Sequence, residues 1–116
     1  MLKTKINNSG CVPYSDRVIV VNRFRGGPAF GERLAPVVKI LSGKPGFIDA
    51  HVAQNLDEPD LWVLVTRWEN VGSYRRALGG LESKMLVVPL LSEAIDEPSA
   101  YASPETVGEN IPRGLE

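Results

Sequence analysis

The chain has 116 residues, 43% of them hydrophobic and 23% charged, with 13 basic against 14 acidic side chains. That is enough for one domain with one core, in the range of ordinary globular proteins, and a net charge of -1 offers no footprint for a phosphate backbone, so no nucleic acid partner is expected. The single cysteine, Cys11, excludes an internal disulfide and a multi-cysteine metal site; no apolar run reaches the roughly 18 residues of a membrane span, and the start MLKTKINNSG lacks a signal-peptide core, so the expectation is a cytoplasmic protein with no membrane partner.

Residues 1–16 mix Asn, Ser, Gly and Pro and read as a flexible N-terminal arm, and 103–116, SPETVGENIPRGLE, read as a flexible C-terminal tail. The folded domain is expected over 17–102. Its first element is RVIVVNRF, residues 17–24, whose density of β-branched residues predicts a strand ended by Gly26-Gly27-Pro28. From Pro28 to about Ser42, Phe30, Leu34, Val37, Val38 and Leu41 fall on one helical face, with Pro28 suited to the first turn and Gly43 to the end. Pro36 lies inside that pattern and predicts a kink or short break near Glu32 to Ala35.

GFIDAHVAQN, residues 46–55, follows a Lys-Pro-Gly turn and alternates imperfectly, which predicts a second strand. LDEPD connects it to a third strand at 61–68, LWVLVTRW. Asn70 is placed to cap a helix from Val71. Tyr74, Leu78, Leu81, Met85 and Leu86 continue an apolar side if Gly79-Gly80 divides the region into two short helices. Pro98 to Ser103 is expected to form a short last strand with Tyr101 at its centre.

The order β-α-β-β-α-β is the split arrangement of a ferredoxin-like α+β sandwich with an antiparallel sheet. Right-handed crossovers put strands one and three in the middle of that sheet. In the third strand Trp62, Leu64, Thr66 and Trp68 share one face and Leu61, Val63, Val65 and Arg67 the other, so both faces are largely apolar. Two helices cover one face only. A second copy of the chain is the simplest cover for the other, and a homodimer through the sheet face is expected.

VIVVNRF, a helix, KPGF, and WVLVTRWEN with Tyr74 four residues on together resemble the antibiotic biosynthesis monooxygenase family of dimeric α+β barrel proteins, over residues 17 to about 102. The resemblance implies a small-molecule substrate and molecular oxygen as partners. One branch of that family oxidises aromatic polyketides to quinones without metal or organic cofactor: a deprotonated phenolic substrate supplies the electrons, and the protein a dry pocket with polar groups. That branch associates with its site the corner Trp, here Trp68, an aromatic residue in the next helix, here Tyr74, and an Asn four residues before the Trp, where this chain has Leu64. A second branch degrades haem and has an Asn near the end of the first strand, as Asn22 is here. Its second Trp and its haem-ligating His would fall at Ala77 and in LESKM, which has neither, and the sole histidine is His51 on strand two. Haem is therefore the alternative to the expectation of no cofactor.

The candidate site residues are Asn22, Trp68 and Tyr74, each with two readings. Trp68 either plugs the strand-to-helix corner or lines a substrate pocket. Tyr74 turns its ring to the sheet, with a hydroxyl that needs water, a protein partner or a substrate oxygen. Asn22, on the face of Val18, Val20 and Phe24, is satisfied by a neighbouring backbone group or faces a cavity, because a buried amide without a partner costs about 1–3 kcal/mol. His51 is assigned to one strand face with Phe47 and Asp49, and Arg67 is expected to pair with Glu69 or a partner chain. Arg75-Arg76 reads as a solvated helix face, Cys11 has no base nearby in sequence to make it a nucleophile, and no phosphate loop, metal-ligand spacing or nucleophile elbow occurs. A non-catalytic binding domain, its pocket filled by Leu64 and Met85, is the third reading.

Overall fold

The structure, a computed structural model, describes residues 16–105. Strands β1 (Val18–Arg25), β2 (Phe47–Gln54), β3 (Leu61–Trp68) and β4 (Ala100–Ala102) form one antiparallel sheet in the order β2-β3-β1-β4. Helix α1 (Phe30–Ser42) connects β1 to β2. Helix α2 (Val71–Ala77), a π-helical turn (Ser83–Val87) and helix α3 (Val88–Leu91) lie between β3 and β4. This is the expected ferredoxin-like α+β fold, with β1 and β3 central. The two terminal arms and Cys11 fall outside the described residues, apart from the ends at Asp16 and at 103–105.

The core lies between one sheet face and the helices. It joins Val18, Val20 and Phe24 of β1 and Trp62, Leu64 and Trp68 of β3 to Phe30, Leu34, Val37 and Leu41 of α1 and to Ala77, Val87 and Leu90. The buried positions of α1 are four of the five residues that its periodicity picks out. The expected break at Pro36 does not occur, and α1 runs through it. Pro36 is exposed, so the backbone acceptor that loses its donor one turn back sits on the side of the helix that water reaches.

Two other expectations fail for reasons of phase. A β-bulge between Phe47 and Asp49 puts Phe47 opposite Trp68 and Asp49 opposite Arg67. One extra residue exchanges the faces of everything before it, so Phe47 joins the core while Asp49 and His51 face the other way. After the Gly79-Gly80 break, where Gly80 takes φ +89°, the inward residues are Ser83, Val87 and Leu90. Leu81, Met85 and Leu86 are exposed, Met85 at 64%. Ser83 tolerates burial because its hydroxyl donates to the Ala77 carbonyl at 2.7 Å.

Candidate functional site

The corner after β3 is built by local rules. Asn70 caps α2, its Oδ1 accepting from the Ser73 N–H at 2.8 Å. Capping fixes where the helix begins and so turns Tyr74 back toward the sheet. The Trp68 and Tyr74 rings lie 6.0 Å apart at 53°, and Phe47 meets Trp68 edge-on at 5.4 Å. Trp68 is 0% exposed, and its indole N–H donates to Thr66 Oγ1 at 2.9 Å. Its polar atom is thus satisfied inside the protein, and the residue is a packed corner of the core.

Tyr74 is only half-buried, and its hydroxyl has no hydrogen-bond partner among the described residues. Burial pushes its phenol up from the usual range, with a smaller opposing effect from Arg75. That shift favours the neutral phenol, which can donate a hydrogen bond.

Asn22 is half-buried on the helix-side face of β1, directly across from Leu64, which is 0% exposed. Its amide has no side-chain hydrogen bond to another described residue. Val52 of β2 completes the row on the far side of Leu64. Because Val18 pairs with Trp68 and Asn22 with Leu64, Asn22 sits four residues, about 13 Å, along the sheet from the Trp68 row. Trp68 and Tyr74 are brought into contact; Asn22 shares their face but stands apart from them. Leu64 fills core space, whereas Met85 is too exposed to do so.

Among the described residues, no helix lies over the opposite sheet face. Ile19 and Val21 of β1 with Leu61, Val63 and Val65 of β3 lie there half-buried or exposed. The sequence reading missed the partner of Arg67, which donates through Nε and Nη2 to Asp49 at 2.8 and 2.5 Å rather than pairing with Glu69. The signal was present as opposite charges, but the pairing needs the bulged register. Arg67 holds the Asp49 carboxyl below the usual carboxylate range, first through that hydrogen bond. Arg23 makes a similar fork on Glu97 at 2.7 and 2.6 Å, tying β1 to the segment before β4.

His51 lies on this open face, 3.7 Å from Asp49 through Nε2, with its side chain 69% exposed. It is the chain's one histidine, so the helix-side face offers no imidazole to a haem iron. The residues present do not fit an axially ligated haem between sheet and helices. Among the described residues no group of three His, Cys, Asp or Glu side chains converges on a metal-sized site, and no helix is long and apolar enough to cross a membrane.

A comparison with curated protein sequences returned no match. Among solved structures, the chain is similar to SnoaB from Streptomyces nogalater, described as a cofactor-independent oxygenase, with 25% identity, a TM-score of 0.66, and 76% of this chain and 93% of that chain covered. It is also similar in fold to a conserved protein from Methanosarcina mazei (24% identity, TM-score 0.59, 78% and 95% covered) and to Rv0793 from Mycobacterium tuberculosis (17%, 0.59, 75% and 94%). The family model for antibiotic biosynthesis monooxygenases matches residues 17–84, more than half of the chain. On that match and on the fold just described, the chain belongs to the antibiotic biosynthesis monooxygenase family.

Proposed function

We propose that the chain is a cofactor-independent monooxygenase that oxidises an aromatic or otherwise easily oxidised small molecule between the helices and the sheet. The observation that carries this reading is Asn22: a half-buried amide on a central strand, without a side-chain partner among the described residues, on the face that also holds Trp68 and Tyr74. Family membership and the likeness to SnoaB support it.

The chemistry balances without a cofactor. A methylene carbon flanked by phenolic rings loses two protons and four electrons as it becomes a carbonyl, and O2 accepts four electrons, placing one oxygen atom in the carbonyl and releasing the other as water. The substrate, deprotonated at its phenol, is the electron donor. The protein's part is to hold the resulting oxyanion with fixed donors and to exclude water. The Asn22 amide is the donor for that oxyanion, the neutral Tyr74 hydroxyl is the donor for an oxygen at the other end of the substrate, and Trp68 backs the Tyr74 ring from within the core. The roughly 13 Å between the two ends of this face suits an elongated, fused-ring substrate better than a single ring. Leu64 contributes shape but no hydrogen bond, which leaves the polar role on this part of the sheet to its cross-strand neighbour Asn22.

Asn22→Ala tests the assignment. With an anthrone or hydroquinone substrate in an oxygen electrode, its uptake rate is expected to fall about 100-fold. Its unfolding free energy should change by no more than about 0.5 kcal/mol, because no protein partner is orphaned. Unchanged uptake would remove Asn22 from the site, and no uptake by the parent chain over such a panel would remove the activity.

The same reading includes a homodimer. A second copy covers the open face at Val21, Val63 and Val65, and the protein works in the cytoplasm, where a single cysteine is unremarkable. Light scattering at micromolar concentration is expected to give twice the 12.7 kDa chain mass; a monomer mass would refute this part.

A further inference from the structure

A fused-ring substrate lying between Asn22 and Tyr74 would cover the helix-side face of the two central strands, and that face is closed. Val20 and Phe24, on either side of Asn22 along β1, are 1% exposed; Leu64, across from Asn22, is 0% exposed, and Thr66, next on the same face of β3, 2%. A planar molecule of that size therefore reaches past the Asn22 amide only after part of the layer above the sheet moves. What holds each segment in place decides which part moves at least cost.

Helix α1 is anchored by Phe30, Leu34, Val37 and Leu41, and the turn and helix that follow α2 by Ser83, Val87 and Leu90. Between α3 and β4, residues 92–99 include no buried side chain, and only Ala94 packs partly on the core. The segment is held instead by point contacts. Glu93 accepts a fork from Arg33 of α1 at 3.0 and 2.7 Å, both side chains being exposed. The Val21 N–H donates to the Ser99 carbonyl at 2.7 Å. With Val20 opposite Ala100, continuing the β4 register would set Glu97 against Arg23. The Arg23 carbonyl instead accepts from the Ile95 N–H, two residues further back, at 2.7 Å. Residues 96–98 thus arch past β1 beside Asn22 rather than pairing with it. The arch is pinned by the Arg23 fork on Glu97. Those side chains are 41% and 28% exposed, and a pair open to water to that degree is held weakly.

We propose that residues 92–99 are the gate through which the substrate reaches Asn22, hinged at the end of α3 and at Ser99, with the Arg23–Glu97 fork as its latch. The gate rests on the monooxygenase reading and adds the step that admits the substrate to that site. Its return over a bound substrate excludes water, as the oxygenase chemistry requires. Both residues of the latch belong to one chain and already face each other, so the gate asks for no free sheet face and operates beneath a second copy as well as without one.

Native-state hydrogen exchange on the isotopically labelled full-length chain reads the opening without turnover. The Ile95 amide is expected to exchange about tenfold faster than the Val21 amide, which is bonded at the fixed end of the segment. Glu97→Gln keeps the shape of the side chain and removes its charge. It should speed Ile95 exchange about fivefold, the equilibrium effect of one exposed ion pair. The association rate of a hydroxyanthraquinone, a stable planar phenol followed by stopped-flow quenching of tryptophan fluorescence, should rise by a similar factor. Arg23→Gln should reproduce both changes, and Arg25→Gln, which cuts a fork on Glu58 and Asp60 outside the segment, should produce neither. Ile95 exchange no faster than Val21 exchange, or faster exchange in the Glu97 variant with an unchanged association rate, would overturn the gate. A segment that opens in a chain that neither binds the anthraquinone nor takes up oxygen would instead remove the monooxygenase reading, and the gate with it.

Discussion

Replacing Trp68 with alanine is expected to destabilise the protein by about 4 kcal/mol, the range for emptying a large aromatic from a packed core. Trp68 is 0% exposed and packs against two rings, Phe47 at 5.4 Å and Tyr74 at 6.0 Å. Against a total stability of roughly 5–15 kcal/mol for a domain of this size, that loss leaves a marginal fold. Trp68→Phe separates two parts of the effect. It keeps an aromatic plug but removes the indole N–H, so Thr66 Oγ1, in a residue 2% exposed, loses its donor, and about 1–2 kcal/mol is expected for that change. Denaturant unfolding of both variants gives the energies. Oxygen uptake by the phenylalanine variant then distinguishes corner plug from substrate wall: activity that survives under conditions where the variant is folded assigns Trp68 to the core alone. A near-wild-type unfolding midpoint for the alanine variant would contradict the packing itself.

The parts of the fold that could be read in the sequence are those governed by spacing within one element. The apolar face of α1, the alternation of LWVLVTRW and the Asn70 cap are local, and the sheet order follows from chain order and crossover handedness. What could not be read depends on register between elements. The bulge after Phe47 is one unpaired residue in a strand whose alternation was already imperfect, yet it decides that Phe47 packs on Trp68 and that Asp49 meets Arg67. The π-helical turn likewise rotates the chain so that Ser83 goes in and Met85 out, against the hydrophobic ranking of the two residues. At the candidate site, Asn22 stood out because it is an amide in an apolar run, and Tyr74 because a cap fixes its direction. Their separation along the sheet follows only from which residues face each other across strands.

Gly46→Ala should be nearly as damaging as the loss of Trp68, at about 3 kcal/mol, although it adds a single methyl group at a half-buried turn. Gly46 has φ +88°, a conformation that costs a residue with a Cβ about 1–2 kcal/mol. A Cβ there would also lie 2.2 Å from Ser73 Oγ and 2.3 Å from Ser73 Cβ. The second atom is anchored directly to the α2 backbone, so rotating the hydroxyl away does not relieve the clash, and overpacking adds a further 1–3 kcal/mol. The contact is tight because the Gly46 carbonyl accepts the Glu69 N–H at 2.8 Å, clamping the turn before β2 onto the corner between β3 and α2. Forcing it open moves α2 and with it Tyr74 relative to the sheet. A fall in melting temperature of more than about 10 °C is expected, together with loss of oxygen uptake larger than the unfolded fraction explains. Ser73→Gly in the same chain removes the collision but not the backbone strain, and should recover about half of the lost stability, giving a coupling free energy of 1–2 kcal/mol between the two positions. Additive effects would mean that the turn and the helix are not clamped, and that Tyr74 is positioned by its cap alone.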